Sequence, residues 1–232
     1  MSINENVQAV RERIEDAARG RKVWLVAATK MNGAEAVREA IAAGVDACGE
    51  NRVQEFVEKD ALGAYAGAPK HFIGHLQRNK VNKLVGAVDL IQSVDSAELL
   101  ELIDRRARAL GITQDILIEV SIAGEAQKSG ISPEQLPALL EKASAMEALQ
   151  VRGLMCVPPI LEAEGSNRRY FAAMRQLFID NGGKKYDNVT MDFLSMGMTD
   201  DYPEAIAEGA NMVRIGTGIF GARPYHTRSA EA

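Results

Sequence analysis

The sequence predicts an α/β fold, a single (β/α)8 barrel of the TIM type preceded by one extra helix. Three observations carry that expectation. Strand-like and helix-like runs take turns from residue 23 onward. Eight of the runs have strand composition, and eight is the number that closes such a barrel. No linker, low-complexity stretch or composition shift interrupts the 232 residues, so 1–232 reads as one domain. Each strand–helix unit then takes about 29 residues, close to the spacing in barrels of ~250 residues. A doubly wound open sheet is the competing architecture.

The elements follow in order. Residues 1–20 are polar and charged, with Val7, Val10, Ile14 and Ala17 at helical spacing, which predicts an amphipathic helix and not a signal peptide. The strand runs are 23–29, 45–48, 71–73, 90–93, 116–120, 151–157, 189–193 and 212–215. Amphipathic segments between them include 34–43, 97–110, 136–145 and 170–179. Ser132-Pro133-Glu134-Gln135 has the residues of a capping box, with Pro at the first helical position. Asp95 with Glu98 reads as another helix start, and Asp200 or Asp201 before Pro203 as a third. Gly44 and Gly111 stand where a helix ends on a left-handed residue. The last residues, 224–232, read as a flexible tail.

Composition excludes several classes. Hydrophobic content of 47% and charged content of 25% are ordinary for a globular protein. A net charge of -5 argues against nucleic acid or an anionic membrane as partner. Arg105-Arg106 and Lys184-Lys185 read as solvated surface. The 2 cysteines, Cys48 and Cys156, lie in apolar runs and read as small buried hydrophobes, with no disulfide framework or zinc site. No apolar run approaches a membrane span, so a cytoplasmic protein is expected.

Lys30 ends the apolar run of the first strand. A lysine there is either stranded at the edge of a core or held at the barrel mouth, where partial burial favours the neutral amine that attacks aldehydes. Two late segments look like anion cradles: Ser195-Met196-Gly197-Met198-Thr199 after the seventh strand and Gly216-Thr217-Gly218 after the eighth. In barrels of this kind the loops after the last two strands commonly bind phosphate. Gly216, Gly218 and Gly221 also match the dinucleotide fingerprint, but that motif opens a βαβ unit, and too little chain follows for one. Arg214, just before the glycines, is a phosphate clamp, a surface ion pair, or the partner of a ring nitrogen that it would hold unprotonated. Amine, cradle and arginine together describe a ligand with an aldehyde, a phosphate and a ring. Pyridoxal 5′-phosphate (PLP) fits best, and a phosphorylated sugar held as a Schiff base by an aldolase fits nearly as well.

Six motifs in order carry a resemblance over the whole chain. They are residues 26–30 (VAATK), 49–55 (GENRVQE), 72–80 (FIGHLQRNK), 153–159 (GLMCVPP), 194–201 (LSMGMTDD) and 214–221 (RIGTGIFG). The chain resembles the pyridoxal phosphate homeostasis protein family, whose barrel is similar to the N-terminal domain of alanine racemase. The resemblance implies PLP held as a Schiff base on Lys30. It implies Ser195, Gly197, Gly216 and Thr217 on the phosphate, Arg214 facing the pyridine nitrogen, and Asn51 and His75 at the pocket rim. Glu50 is expected to support the scaffold. Ser121 stands where members often have Asn, and Thr199 where Ser is common; Thr199 keeps the hydroxyl.

Function is expected to be binding. Racemisation needs a base on each face of the substrate Cα. In racemases of this architecture the second base is a tyrosine from an additional β-domain, donated across a dimer. The short stretch after Gly221 leads us to expect no such domain, and nothing places Tyr202 or Tyr225 opposite Lys30. The protein is therefore expected to be a monomer that sequesters PLP, then buffers it or delivers it to apo PLP-dependent enzymes. A low-activity racemase is the alternative and the Schiff-base aldolase the third reading. Lys70, Lys80 and Lys83 are read as solvated surface in preference to a second cofactor site.

Overall fold

The computed structural model describes residues 2–124, 129–159, 167–183 and 186–221. Lys184-Lys185, Tyr225 and the expected tail at 224–232 lie outside the described residues. The chain forms a closed parallel barrel in the order β1-β2-β3-β4-β5-β6-β7-β8, so the open sheet is excluded. The strands are β1 (Trp24–Ala28), β2 (Ala47–Glu50), β3 (Lys70–Phe72), β4 (Leu90–Val94), β5 (Gln114–Glu119), β6 (Leu149–Met155), β7 (Val189–Ser195) and β8 (Met212–Ile215). The helices are α1 (Ile3–Ala18), α2 (Ala34–Ala42), α3 (Val53–Ala61), α4 (Val81–Leu84), α5 (Ala97–Leu110), α6 (Leu136–Ser144), α7 (Arg168–Gly182), α8 (Tyr202–Ala207) and α9 (Thr217–Phe220). Among the described residues no helix is long and apolar enough to cross a membrane.

Helix α1 starts with a capping box: the Ser2 hydroxyl accepts from the Glu5 amide at 3.2 Å and the Glu5 carboxylate accepts from the Ser2 amide at 2.8 Å. It buries Val7, Val10, Ile14 and Ala18; Ala17 is only half-buried, one position off the expected stripe. The capping box at Ser132 forms, on a short 3-10 turn that leads into α6. The start of α5 departs from expectation. Ser96, not Asp95, caps it, its hydroxyl accepting from the Leu99 amide at 3.3 Å, while the Asp95 carboxylate turns to His75 at 3.5 Å. Asp201 does precede α8, but its side chain accepts from Met198 N at 2.7 Å and so braces the loop before the helix. Gly44 and Gly111 are left-handed at φ 100° and 66°, as helix ends require.

Strand alternation divides the core in two. Val26, Ala47, Leu90, Leu117, Met155 and Met212 fill the barrel interior, with Trp24 and Phe193 against them. The opposite faces pack under the helices in one larger cluster. Cys48 and Cys156 are buried, and burial pushes each thiol up to about 12, so both are inert packing groups. The barrel closes where β1 meets β8, pairing Val26 with Arg214 and Ala27 with Ile215. That seam makes the ends of β1 and β8 neighbours, although about 190 residues separate them in sequence.

Candidate cofactor site

Lys30 lies two residues beyond β1, half-buried, in a turn at the C-terminal mouth of the barrel. The register that pairs Ala28 with Gly49 brings Asn51 to the level of Lys30. Across the other seam, a Cβ placed on Gly216 would lie 3.6 Å from the Ala28 Cβ. Lys30, Asn51 and the β8 loop are therefore neighbours at one end of the barrel. Met31, just after the lysine, has φ 63°, a left-handed conformation that costs a side-chain-bearing residue about 1–2 kcal/mol.

The two glycine loops meet. The Thr217 and Thr199 hydroxyls are 3.2 Å apart, and the Gly218 amide donates to Thr199 Oγ1 at 3.3 Å. Gly197 takes φ 94° beside α8, where a Cβ would come within 2.6 Å of the Ala205 Cβ. The arrangement gathers hydroxyls and glycine amides, the donor set a phosphate needs, on a loop whose Met198 amide is already bonded to the Asp201 carboxylate. Ser195 stands apart from this group. It is fully buried at the end of β7, and its hydroxyl donates to Gln92 Oε1 at 2.7 Å and accepts from Arg214 Nη1 at 2.6 Å. Thr199 replaces it in the hydroxyl cluster.

Arg214 is buried, and its Nη2 donates to the Cys156 carbonyl at 2.8 Å. Among the described residues it has no carboxylate within ion-pair distance. Burial pushes its pKa below the ordinary arginine value, partly opposed by Glu119 and Asp201, but an arginine stays charged in proteins. A polar chain runs inward from it through Ser195 and Gln92 to His71. Gln92 Nε2 lies 3.0 Å from His71 Nδ1, so that ring nitrogen accepts and the proton sits on Nε2. Burial pushes His71 down to about 4, which keeps it neutral. None of Gln92, His71 and Glu119 was expected; the polar pair Gln92-Ser93 inside a buried strand was the available signal. Glu119 ends β5, and burial with Asp95 pushes its carboxyl up to about 7 against the pull of Arg214.

Other expected residues lie at the rim or in the scaffold. His75 is exposed at the outer rim, 3.3 Å from Ser129 Oγ and 3.5 Å from Asp95. Glu50 supports the scaffold, as expected: it is buried, accepting from Thr29 Oγ1 at 2.6 Å and from Lys59 Nζ at 2.7 Å. Tyr202 is buried on α8 in a cleft shared with Asn6, Val10 and Arg13 of α1 and with Thr199 and Gly218. The three lysines separate. Lys70 pairs with Asp60 at 3.3 Å at the start of β3, whereas Lys80 and Lys83 line a cavity of about 310 Å3 with Asn51, Arg52 and His75. Among the described residues no acidic, histidine and cysteine cluster could hold a metal ion.

The alanine racemase N-terminal domain model matches residues 1–224. The pyridoxal phosphate homeostasis protein of Aquifex aeolicus is 43% identical over 230 residues, covering 97% of this chain and 100% of the relative. This chain belongs to that family. The Pseudomonas aeruginosa member is 40% identical, with 97% of each chain covered. Among solved structures, PipY of Synechococcus elongatus with PLP bound superposes with a TM-score of 0.84 at 36% identity, covering 95% of this chain and 100% of PipY.

Proposed function

We propose that this protein binds pyridoxal 5′-phosphate as a Schiff base on Lys30 and holds it for intracellular PLP homeostasis, buffering it or delivering it to apo PLP-dependent enzymes. The observation that carries this is the convergence at one barrel mouth of the Lys30 turn, the Thr199–Thr217 cradle and buried Arg214. The residues present fit the cofactor: an amine for its aldehyde, hydroxyl and glycine-amide donors for its phosphate, and a buried cation hydrogen-bonded only to neutral groups for its ring nitrogen. The PLP-bound relative PipY and the homeostasis names of the curated relatives support the same reading.

When bound, the cofactor supplies a reactive aldehyde and an electron-withdrawing ring. Lys30 attaches it. Thr199, Thr217 and the amides of Gly216 and Gly218 hold the phosphate, with Gly197 shaping the loop behind them. Arg214 faces the ring nitrogen and keeps it unprotonated, which weakens the ring as an electron sink. Ser195 and Gln92 fix the guanidinium, and Asn51 borders the pocket with His75 further out. This set binds and quietens the cofactor more than it drives chemistry on a substrate.

The test is the visible spectrum of the purified protein before and after PLP addition, followed by borohydride reduction and peptide mass mapping. An absorption band and a pyridoxyl adduct on Lys30, lost in Lys30→Ala, are expected. No band after incubation with PLP would overturn the assignment.

Slow amino-acid racemisation is a second reading, favoured by Glu119. Its carboxyl stands on β5, across the eight-stranded barrel from β1, with a pKa of about 7 suited to proton transfer. It predicts exchange of the substrate Cα hydrogen that disappears in Glu119→Gln. Absence of exchange in the wild-type protein would remove it.

A further inference from the structure

The strongest unassigned feature near the mouth is a second lysine. Lys59 lies on α3, is buried, and bonds three acceptors: Thr29 O at 2.8 Å, Glu50 Oε1 at 2.7 Å and Glu55 Oε2 at 3.4 Å. An ammonium has three donors, so all are used. Thr29 O is the carbonyl of the peptide just before the Lys30 Cα. The peptide just after it is held too, because Met31 N donates to Glu55 Oε2 at 2.6 Å. One cluster of side chains therefore grips the backbone on both sides of Lys30.

The grip opposes a local preference. Met31 is left-handed at φ 63°, yet its side chain is 65% exposed, so packing of that side chain does not account for the conformation. The turn is closed by Asn32, whose backbone N donates to Thr29 O at 3.1 Å and whose Nδ2 donates to Lys30 O at 3.0 Å, and it is braced from outside by Met31 N donating to Glu55, which is in turn held by Lys59. Thr29 is tied on its side chain as well, to Glu50 Oε1 at 2.6 Å. The two carboxylates meet at a single buried cation, and without it they would repel each other beside the turn.

We propose that Lys59 is a positioning residue for Lys30: it locks Glu50 and Glu55 into a clamp that braces the left-handed turn against the barrel and so presents the Lys30 amine to the mouth. Its own amine is fully engaged and is not a second attachment point. The proposal rests on the reading that Lys30 is the reactive amine.

The experiment uses the full-length protein stripped of cofactor. Two readouts are taken for wild type, Lys59→Met, Lys59→Arg, Glu55→Gln, Met31→Gly and the Glu55→Gln/Met31→Gly double variant. The first is the PLP dissociation constant from the visible band. The second needs no cofactor: the rate at which formaldehyde with cyanoborohydride methylates Lys30, mapped by mass spectrometry with exposed Lys22 as internal reference. Thermal melts identify variants that fold. Lys59→Met and Glu55→Gln are expected to weaken PLP binding by about tenfold and to change Lys30 methylation by severalfold while Lys22 is unaltered. Lys59→Arg, which keeps a cationic donor, should recover part of the loss. Glycine adopts the turn without help, so Met31→Gly should restore most of what Glu55→Gln loses. If Lys59→Met does not fold, the Glu55 and Met31 variants decide alone. Folded clamp variants with wild-type PLP affinity and Lys30 reactivity would overturn the proposal, as would a Met31→Gly change that rescues nothing. A wild-type protein that forms no adduct on Lys30 would instead sink the underlying cofactor reading and the clamp with it.

Discussion

Two arginines in one barrel are treated in opposite ways. Arg152 lies at the middle of β6. Its Nη1 meets Asp115 at 2.7 Å and its Nε meets Asp192 at 2.7 Å, with the guanidinium over the Phe193 ring at 5.6 Å. Burial works against its charge, but the two aspartates more than offset this, and its pKa lies above the ordinary value. Arg214 at the C-terminal mouth is more deeply buried, yet its hydrogen bonds go to a serine hydroxyl and a carbonyl. A fully neutralised cation serves the fold. A buried cation held only by neutral groups costs stability, and such a cost is found where a ligand uses the charge. The difference separates a cation matched by carboxylates from one hydrogen-bonded to neutral groups alone.

The largest effect expected from this contrast is in pH dependence. Glu119, near Arg214, is raised from 4.5 to about 7, so its folded form holds its proton more tightly than the unfolded chain does. Its contribution is fully present below pH 4.5 and is lost as pH rises to about 7, on the order of 3 kcal/mol. His71, lowered from 6.5 to about 4, does the opposite: its contribution is present above pH 6.5 and is lost as pH falls through 4. The two slopes nearly cancel between them, so wild-type stability should be flat from about pH 5 to 6.5. Urea denaturation of Glu119→Gln should uncover a rise with pH across that window. A profile as flat as wild type would mean that Glu119 titrates normally.

Arg214→Gln comes next. It should raise the PLP dissociation constant by about 10- to 100-fold, the worth of a hydrogen bond to a charged group. Melting temperature should hold steady or rise, because a buried charge hydrogen-bonded only to neutral groups is gone. A large loss of stability would show that Arg214 is structural and erase the contrast with Arg152. Conversely, Asp192→Asn should destabilise by about 1–2 kcal/mol, less than a fully buried pair because both partners are partly exposed. PLP titration of that variant should match wild type; weakened binding would mean that the two arginines are coupled. The smallest effect is expected from Ser195→Ala. Loss of one link between Arg214 and Gln92 should weaken PLP binding by about threefold to tenfold, measured by the same titration. An unchanged affinity would mean that the Cys156 carbonyl alone holds the guanidinium.

Much of the fold was legible because it is written locally. The apolar spacing of α5 fixed both of its ends, Ala97 and Leu110, and the strand runs lay within a few residues of the observed strands. Boundaries slipped where a neighbouring chain segment decided them. The run at 45–48 forms its strand at Ala47–Glu50, because pairing with β1 and β3 begins there. The Asp95 cap failed because His75, twenty residues away in sequence, draws that carboxylate. Within the candidate site, Lys30, Arg214 and the glycine loops stood out because each is chemically conspicuous in a strand-end motif. Ser195 and Thr199 could not be told apart, since which hydroxyl turns into the barrel depends on strand register. Gln92 illustrates the limit. It bonds a serine 103 residues further on, and no local pattern encodes such a contact.

The sequence by itself determined the secondary structure, the eightfold alternation and which chemically conspicuous side chains stand at strand ends, because periodicity and side-chain chemistry are properties of short segments. Tertiary structure alone decided which groups became neighbours. Closing β1 against β8 set Lys30 beside the loop after Arg214, strand register sent Ser195 inward, and the packing of α3 placed Lys59 under the Lys30 turn. These are long-range outcomes of one closed barrel, and they exist only once every strand has found its partner.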